Sequence, residues 1–441
     1  MINAAQQWSG IALDAMKDDF SGTSGPEITG PGRTSRLFGM VHAAFHDAYV
    51  SGVGAGKPYR FNTPAKLPPS QVLGQLSGGR SAYQMLSYFY NRQREALKAK
   101  YSAFVDALKK EPKPPSSDEL SEAERIGDLV ATQLLVARLP DTEGAPPPFT
   151  PLPKPRTYGA HDGDPISGNT KLYGEFWGLT APFLVSKPDL LNLRVNAPPR
   201  LDSKDYRESF DEVKNKGNVK RRDFKIRETV LGYFWAYDGT NRIGTPPRFF
   251  NQILHAIATS DGLSEAQWSE LLCRSNLAMA DAAISAWDVK YFYYFWRPVI
   301  GIRRDLSVPD ATWEPVGSPA TYNTYRTNFT PPFPSYTSGH ATFVAACFET
   351  VKLFRHNALG RDLSMSDRVD LEIVSEELDG QAYDQDQSKP RPRIPIRYTS
   401  VDQMIQDCME SRIWLGVHWR FDGTNGKEAG LDLAKRAYGK M

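Results

Sequence analysis

The chain has 441 residues, enough for two or three domain-sized units or one large core. Its 53 basic and 51 acidic residues leave a formal charge of +2, so no global field points to nucleic acid, and any anion site must be a local gathering of Lys and Arg. No apolar run approaches the ~20 residues that a membrane helix needs. The first residues also lack the basic stretch and apolar core of a signal peptide, so the expectation is a soluble protein, cytoplasmic or released without a classical signal.

Residues 3–19 read as an amphipathic helix, followed by a Gly/Pro loop, TSGPEITGPGR. A strongly apolar helix spans 35–52. Its His42 and His46 stand at i, i+4 with Asp47 beside them; that spacing can hold a metal, but no third ligand is near, and hydrogen bonds in the core are the expected use. Helices follow over 79–110, with one break, and over 118–139, where acids crowd the first turn. Residues 140–199 hold many prolines and glycines and read as an ordered connection over the surface or a domain boundary, with His161 as a solvated loop histidine. Helices resume over 204–216, 221–235, 246–259 and 264–295. Residues 363–397 are polar and irregular, with one short hairpin. Helices over 400–416 and 423–438 close the chain. Strand signals are few, so the fold class is mainly α, with bundle-type packing. Cys273, Cys347 and Cys408 form no CxxC pair and read as buried filler.

Three stretches carry chemistry. In FTPPFPSYTSGHATF (329–343), Ser338 suits a helix N-cap, Gly339 lets an anion approach the backbone, and His340 can carry a proton, all at the positive end of a helix. In WDVKYFYYFWRP (287–298), Lys290 and Arg297 are seven residues apart. On one helix they share a face at roughly 10 Å separation, and the aromatics from Tyr291 to Trp296 are expected to wall a dry site. Pro298 is expected to end that helix at Arg297. In SRIWLGVHWRFD (411–422), Arg412 offers a planar fork for an oxyanion. Asp422, four residues after His418, can hold one imidazole nitrogen and leave the other free, and Gly416 can let the backbone bring Arg412 and His418 to one centre. Two histidines, two arginines, a lysine and a helix N-terminus suit a tetrahedral oxyanion. No carboxylate cluster for a divalent cation and no Walker-type loop accompanies them.

Together, K-x6-RP (Lys290, Arg297, Pro298), SGH (338–340) and SR-x5-H-x3-D (Ser411, Arg412, His418, Asp422) resemble the tripartite signature of the type 2 phosphatidic acid phosphatase superfamily, which includes the vanadium-dependent haloperoxidases. The surroundings, including FWAYDGTNRIGTPPRFFNQI (234–253), resemble the fungal chloroperoxidase type. The resemblance is strong in the C-terminal half and weaker in the N-terminal half, where SRLFGMVHAAFHDA carries it. Thr337 stands where the family's usual proline precedes SGH.

The resemblance implies two helical bundles related by a pseudo-two-fold. One would span residues 1–199 and include the Pro-rich connection; the other would span 200–441 and carry the site. It implies vanadate as cofactor, with Lys290, Arg297, Ser338, Gly339 and Arg412 on its oxygens and His418 as the nitrogen ligand. His340 would act as acid–base group, with Lys290 polarising the peroxide. Asp238 would brace Arg412, and Phe333 and Trp287 would line the halide side. Phe333 resembles the chloroperoxidase choice, where algal bromoperoxidases carry histidine. The implied partners are hydrogen peroxide, a halide and a small organic acceptor, with a homo-oligomer left open. The alternative within the superfamily is an acid phosphatase, with His418 as nucleophile forming a phosphohistidine and His340 protonating the leaving group. A non-catalytic oxyanion-binding protein is a further alternative.

Overall fold

The computed structural model describes residues 2–141, 149–151, 157–192, 195–323, 327–384 and 389–441. The first part holds α1 (Ala4–Asp19), α2 (Gly30–Val53), α3 (Gln71–Phe89), α4 (Arg94–Leu108) and α5 (Ser117–Ala137). A two-stranded pair follows, β1 (Phe149–Pro151) antiparallel to β2 (Lys171–Tyr173), and then α6 (Lys187–Asn192). Next come α7 (Lys204–Lys216), α8 (Arg227–Phe234), α9 (Pro246–Ser260), α10 (Glu265–Tyr293), α11 (Pro298–Arg303), α12 (Gly339–Asn357) and α13 (Leu363–Ser366). The last elements are β3 (Arg368–Val374) antiparallel to β4 (Pro395–Ser400), α14 (Val401–Trp414) and α15 (Arg420–Tyr438). The chain is therefore mainly α, as the hydrophobic periodicity predicts.

Three helices form the spine: α2, α10 and α12. The residues of α2 from Thr34 to Gly52, of α10 from Leu271 to Trp287 and of α12 from Gly339 to Val351 are buried without a break. A helix with no solvent face must lie inside the molecule. Helix α10 packs between α2 and α12, with α3 against α2 and α15 against α12. One apolar cluster runs from Ala4 to Met441 through all of them. The approach of α15 to α12 depends on Gly426 and Gly430. A Cβ on Gly430 would lie 2.4 Å from the Thr342 carbonyl oxygen, and one on Gly426 would lie 2.9 Å from that of Ser338. This contact sets the start of α12 beside the start of α15.

Several boundaries differ from expectation. Helix α2 starts five residues early, inside the Gly/Pro loop, because Pro31 sits in its first turn, where a missing N–H costs nothing. Helix α3 begins at Gln71 rather than 79, capped by the Ser70 side chain. The break before α4 is at Tyr90–Gln93, as expected. Helix α8 starts later and ends earlier than 221–235, and Tyr237 turns the backbone to a positive φ of 45°. Helix α15 begins at Arg420, three residues early.

The Pro-rich connection is more than a surface strap. Parts of it, including 142–148 and 152–156, lie outside the described residues, but 157–192 packs on the spine. The Asp281 carboxylate on α10 accepts from the backbone N–H of Phe183, Leu184 and Val185 at 2.5, 2.8 and 3.1 Å. No helix among the described residues is long and apolar enough to cross a membrane.

Candidate active site

The expected single helix through Lys290 and Arg297 does not exist. Helix α10 stops at Tyr293, and Tyr294 adopts a left-handed conformation (φ 53°, ψ 37°). Arg297 is instead the residue before α11, with Pro298 in that helix's first turn. The two cations still meet, but through a chain reversal rather than helical periodicity. The reversal is held by the loop at 159–161: the His161 N–H donates to the Tyr294 carbonyl at 2.9 Å, and the Trp296 N–H donates to that of Gly159 at 3.0 Å. The aromatic wall differs too. Phe292 is solvent-exposed, and Phe295 and Trp296 join a second apolar cluster with Tyr206 and Trp419. The rings beside the two cations are Trp287 and Phe333, 5.0 Å apart. Lys290 Nζ and Arg297 Cζ lie 5.0 and 4.9 Å from the centroid of Phe333.

Helix α12 opens at Gly339 with Ser338 as its N-cap; the Ser338 hydroxyl accepts from the Ala341 N–H, leaving its own proton free to donate outward. The Ser338 N–H donates to the Asp422 carbonyl at 2.9 Å, tying this helix start to that of α15. First-turn N–H groups such as that of Gly339 have no intrahelical acceptor. Gly416 turns at φ 70° between α14 and α15, against the backbone of Gly217, where a Cβ would meet an oxygen at 2.5 Å. His418 therefore lies in the turn, and Asp422 reaches back to it from the first turn of α15.

That reach fixes the imidazole. Asp422 Oδ2 lies 2.9 Å from His418 Nδ1 and accepts from the Trp419 N–H at 3.0 Å. A proton on Nδ1 leaves Nε2 with its lone pair, which accepts from Arg297 Nη1 at 2.9 Å. Burial, with the charges of Arg297, Lys290 and Arg412 behind it, holds His418 well below the usual imidazole range. Burial pushes the Asp422 carboxyl up, against the Trp419 N–H and the charges of Lys290 and Arg297.

His340 Nε2 lies 2.6 Å from the Ala236 carbonyl, which can only accept, so its proton is on Nε2 and Nδ1 is the basic nitrogen. Burial, followed by the charge of Arg412, lowers it to about 3. Asp238 stands 3.9 Å away and takes Arg412 Nη2 on both oxygens at 2.9 Å. The same Nη2 meets the Ser318 hydroxyl at 3.3 Å.

All the sequence-identified residues converge here, with one qualification. Lys290 is fully buried, and its ammonium donates to the carbonyls of Pro334, Ser335 and Thr337 at 2.9, 3.0 and 2.5 Å. Burial and Arg297 push its pKa down, yet three carbonyl acceptors demand three N–H protons and keep it charged. A hydrogen bond from Lys290 to an oxyanion therefore requires release of one carbonyl.

The donor set fits an oxyanion. Arg412 Nε and Nη1 and Arg297 Nη2 are buried and have no partner within the protein. Leaving charged donors unpaired in a buried site is expensive unless a ligand completes them. Three cations, Lys290, Arg297 and Arg412, face two carboxylates, Asp238 and Asp422. No group of three or more His, Cys, Asp or Glu that could hold a metal ion occurs among the described residues.

Two participants escape sequence reading. Ser318 is in an irregular loop with no pattern around it. His161 is not a solvated loop histidine: it is 4% exposed, and burial with the charges of Arg297 and Lys290 holds it well below its usual range. Its polar neighbours, HDGD, give no periodic signal of burial. Helix α2 behaves as expected. His42 bonds to the Phe38 carbonyl and Ser9, and His46 to Ser269 and the Lys57 carbonyl.

The whole chain has a curated relative. It is 30% identical to the vanadium chloroperoxidase of Curvularia inaequalis, over 96% of this chain and 79% of that protein. The chain belongs to the vanadium-dependent haloperoxidase family. Residues 270–441 match the family described as VCPO second helical-bundle domain, and they contain every residue of the three signature stretches. A bacterial vanadium-dependent iodoperoxidase superposes with a TM-score of 0.75 at 18% identity, covering 99% of this chain and 96% of that one. The holo form of a bacterial vanadium-dependent chloroperoxidase gives 0.68 at 15% identity, covering 96% and 95%. These two likenesses establish that this haloperoxidase-family chain shares their fold.

Proposed function

We propose that the protein oxidises halide with hydrogen peroxide to hypohalous acid, which halogenates a small organic acceptor, and that vanadate is its cofactor. The observation that carries this reading is the set of unpartnered buried donors on Arg297 and Arg412 around His418. Arg297, Arg412, the Ser338 hydroxyl and the Gly339 N–H would hold the oxyanion's oxygens, and His418 Nε2 would ligate its centre. When bound, vanadate supplies a Lewis acid that renders peroxide electrophilic towards halide without itself changing oxidation state.

The chain's own residues do the rest. Asp422 orients His418 and keeps its proton on Nδ1. Asp238 fixes the guanidinium of Arg412. His340, neutral at ordinary pH, accepts the proton of hydrogen peroxide at Nδ1 and returns it to the departing oxygen. The resulting imidazolium is stabilised by Asp238 at 3.9 Å. With one of its three carbonyl acceptors released, the buried ammonium of Lys290 would stabilise negative charge on the oxygen lost from peroxide. Trp287 and Phe333 exclude water from the side where halide would enter.

The test is to strip bound anions, add orthovanadate, and follow halogenation of a dye with peroxide and each halide, alongside phosphate ester hydrolysis by the vanadate-free protein. Vanadate-dependent halogenation, competitively suppressed by phosphate, is expected. Ester hydrolysis without halogenation would instead assign the pocket to the phosphatase branch.

A further inference from the structure

The polar excursion between β3 and β4 sends one carboxyl deep into the protein. Glu377, on a single turn of 3-10 helix (Glu376–Leu378), is 0% exposed. Its Oε2 accepts from the Thr321 hydroxyl and from Arg391 Nη1, each at 2.5 Å. Its Oε1 is buried and meets no donor among the described residues. Two links tie this carboxyl to the oxyanion site. Thr321 follows Ser318 by three residues, and the Ser318 hydroxyl accepts from Arg412 Nη2. Arg391 Nη2 donates to Thr321 Oγ1 at 2.8 Å, so Glu377 and Arg391 together grip the loop that sets Ser318 on Arg412. On the other side, the Glu376 N–H donates to the Tyr237 hydroxyl at 3.1 Å. Tyr237 stands between Ala236, whose carbonyl holds His340, and Asp238, which braces Arg412.

Charge decides the state of Oε1. Arg391 also serves Asp384, through Nε at 3.2 Å and Nη2 at 3.0 Å, so one buried guanidinium faces two carboxylates. Asp384 has a second cation, Arg222 at 3.8 Å, but that residue is exposed. The charge of Asp238 opposes a further negative charge on Glu377. Tyr237 and Tyr322 complete the titratable surroundings, and burial keeps both as neutral phenols. A buried carboxyl with an unpaired oxygen, sharing its only cation, takes up a proton more readily than an exposed one. Burial, outweighing Arg391, accordingly pushes Glu377 up to about 6.

We propose that Glu377 is a positioning residue of the oxyanion site, holding the Ser318 loop through Thr321 and favouring a bound anion in its protonated form while opposing one when ionised. The assignment rests on the oxyanion reading of the site and not on halide oxidation. It gives a role to the β3–β4 excursion, which none of the three signature stretches contains. By linkage, a bound oxyanion keeps Glu377 protonated to higher pH.

The test uses the whole protein. Vanadate and, separately, phosphate are titrated into the parent and into Glu377→Gln, which copies the protonated carboxyl, between about pH 5 and about pH 8. The two proteins should bind alike at the acid end. At the alkaline end the variant should bind about fivefold more tightly, because only the parent then carries the extra negative charge. Thr321→Val, which only loosens the loop, should weaken binding by a similar factor at every pH. In the anion-free parent, labelled with isotopic glutamate, an infrared band of protonated carboxyl should fade as pH rises through about 6 and persist further with phosphate bound. That reading needs no variant. An affinity ratio between parent and Glu377→Gln that stays constant with pH, or a carboxyl band indifferent to pH and phosphate, overturns this proposal alone. A parent that binds neither vanadate nor phosphate would sink the oxyanion reading, and this proposal with it.

Discussion

Two polar clusters lie deep in this helical protein, and they differ in one respect. On α2, His42, His46 and Asp47 are as buried as anything at the candidate site, but every side-chain nitrogen and oxygen of theirs has a partner. The Asp47 carboxylate accepts from the N–H groups of Tyr59, Arg60 and Phe61 at 2.6, 3.0 and 2.8 Å. Around His418, the guanidinium groups of Arg297 and Arg412 keep unpaired nitrogens. The first cluster closes on itself and fastens the chain. The second is complete only with an anion. Burial and residue type do not separate the two; hydrogen-bond satisfaction does.

The comparison breaks most directly at His418. His418→Ala should reduce vanadate-dependent halogenation by about 1,000-fold or more while leaving the thermal midpoint near that of the parent, because its removal costs the ligand bond that the second cluster exists to make. Substantial halogenation by this variant would refute the role given to Nε2. Arg412→Lys keeps the charge and discards the planar fork. Vanadate affinity, measured by equilibrium dialysis, should fall about 100-fold, from loss of charged hydrogen bonds worth about 1.5–3 kcal/mol each. Unchanged affinity would show that its unpaired nitrogens serve no ligand.

The opposite pattern is expected at Asp47. Asp47→Ala strands three backbone N–H groups and should destabilise the fold by about 3 kcal/mol in urea unfolding, with vanadate affinity of the folded protein unaltered. A parallel loss of vanadate affinity would mean that the two clusters are not independent.

The smallest effect concerns pH. Burial lowers His42, His46 and His255 each to about 4. The unfolded chain, with histidines near 6.5, binds the extra protons between these values. Stability is therefore fully present above about 6.5 and is lost as pH falls towards about 4. His42→Asn should remove at most one proton from that dependence, a change of slope of about 1.4 kcal/mol per pH unit. Midpoints that stay constant from neutral pH to mildly acidic pH in the parent would contradict the buried, neutral assignment.

Much of the site is legible in the chain because its parts are local. Ser338–Gly339–His340 must start a helix, since a capping side chain and a long apolar run follow one another directly. His418 and Asp422 are close enough for the carboxylate to reach back whatever the intervening turn. Trp287 and Phe333 belong to the same short stretches. The pairing of Lys290 with Arg297 was legible as a result but not as a cause: the helix ends at Tyr293, a left-handed Tyr294 replaces its expected continuation towards Arg297, and no residue between them announces it.

What the sequence by itself determined was the helical class, the composition of the anion site and the family, because amphipathic periodicity, caps and short motifs are encoded by neighbours along the chain. What only the tertiary structure decided was which polar atoms remain unpaired, that the Lys290 ammonium is spent on three carbonyls, and that His161 leaves its loop to lie beside Arg297. Those outcomes depend on contacts between residues 44 or more positions apart, where packing rather than local preference chooses each partner.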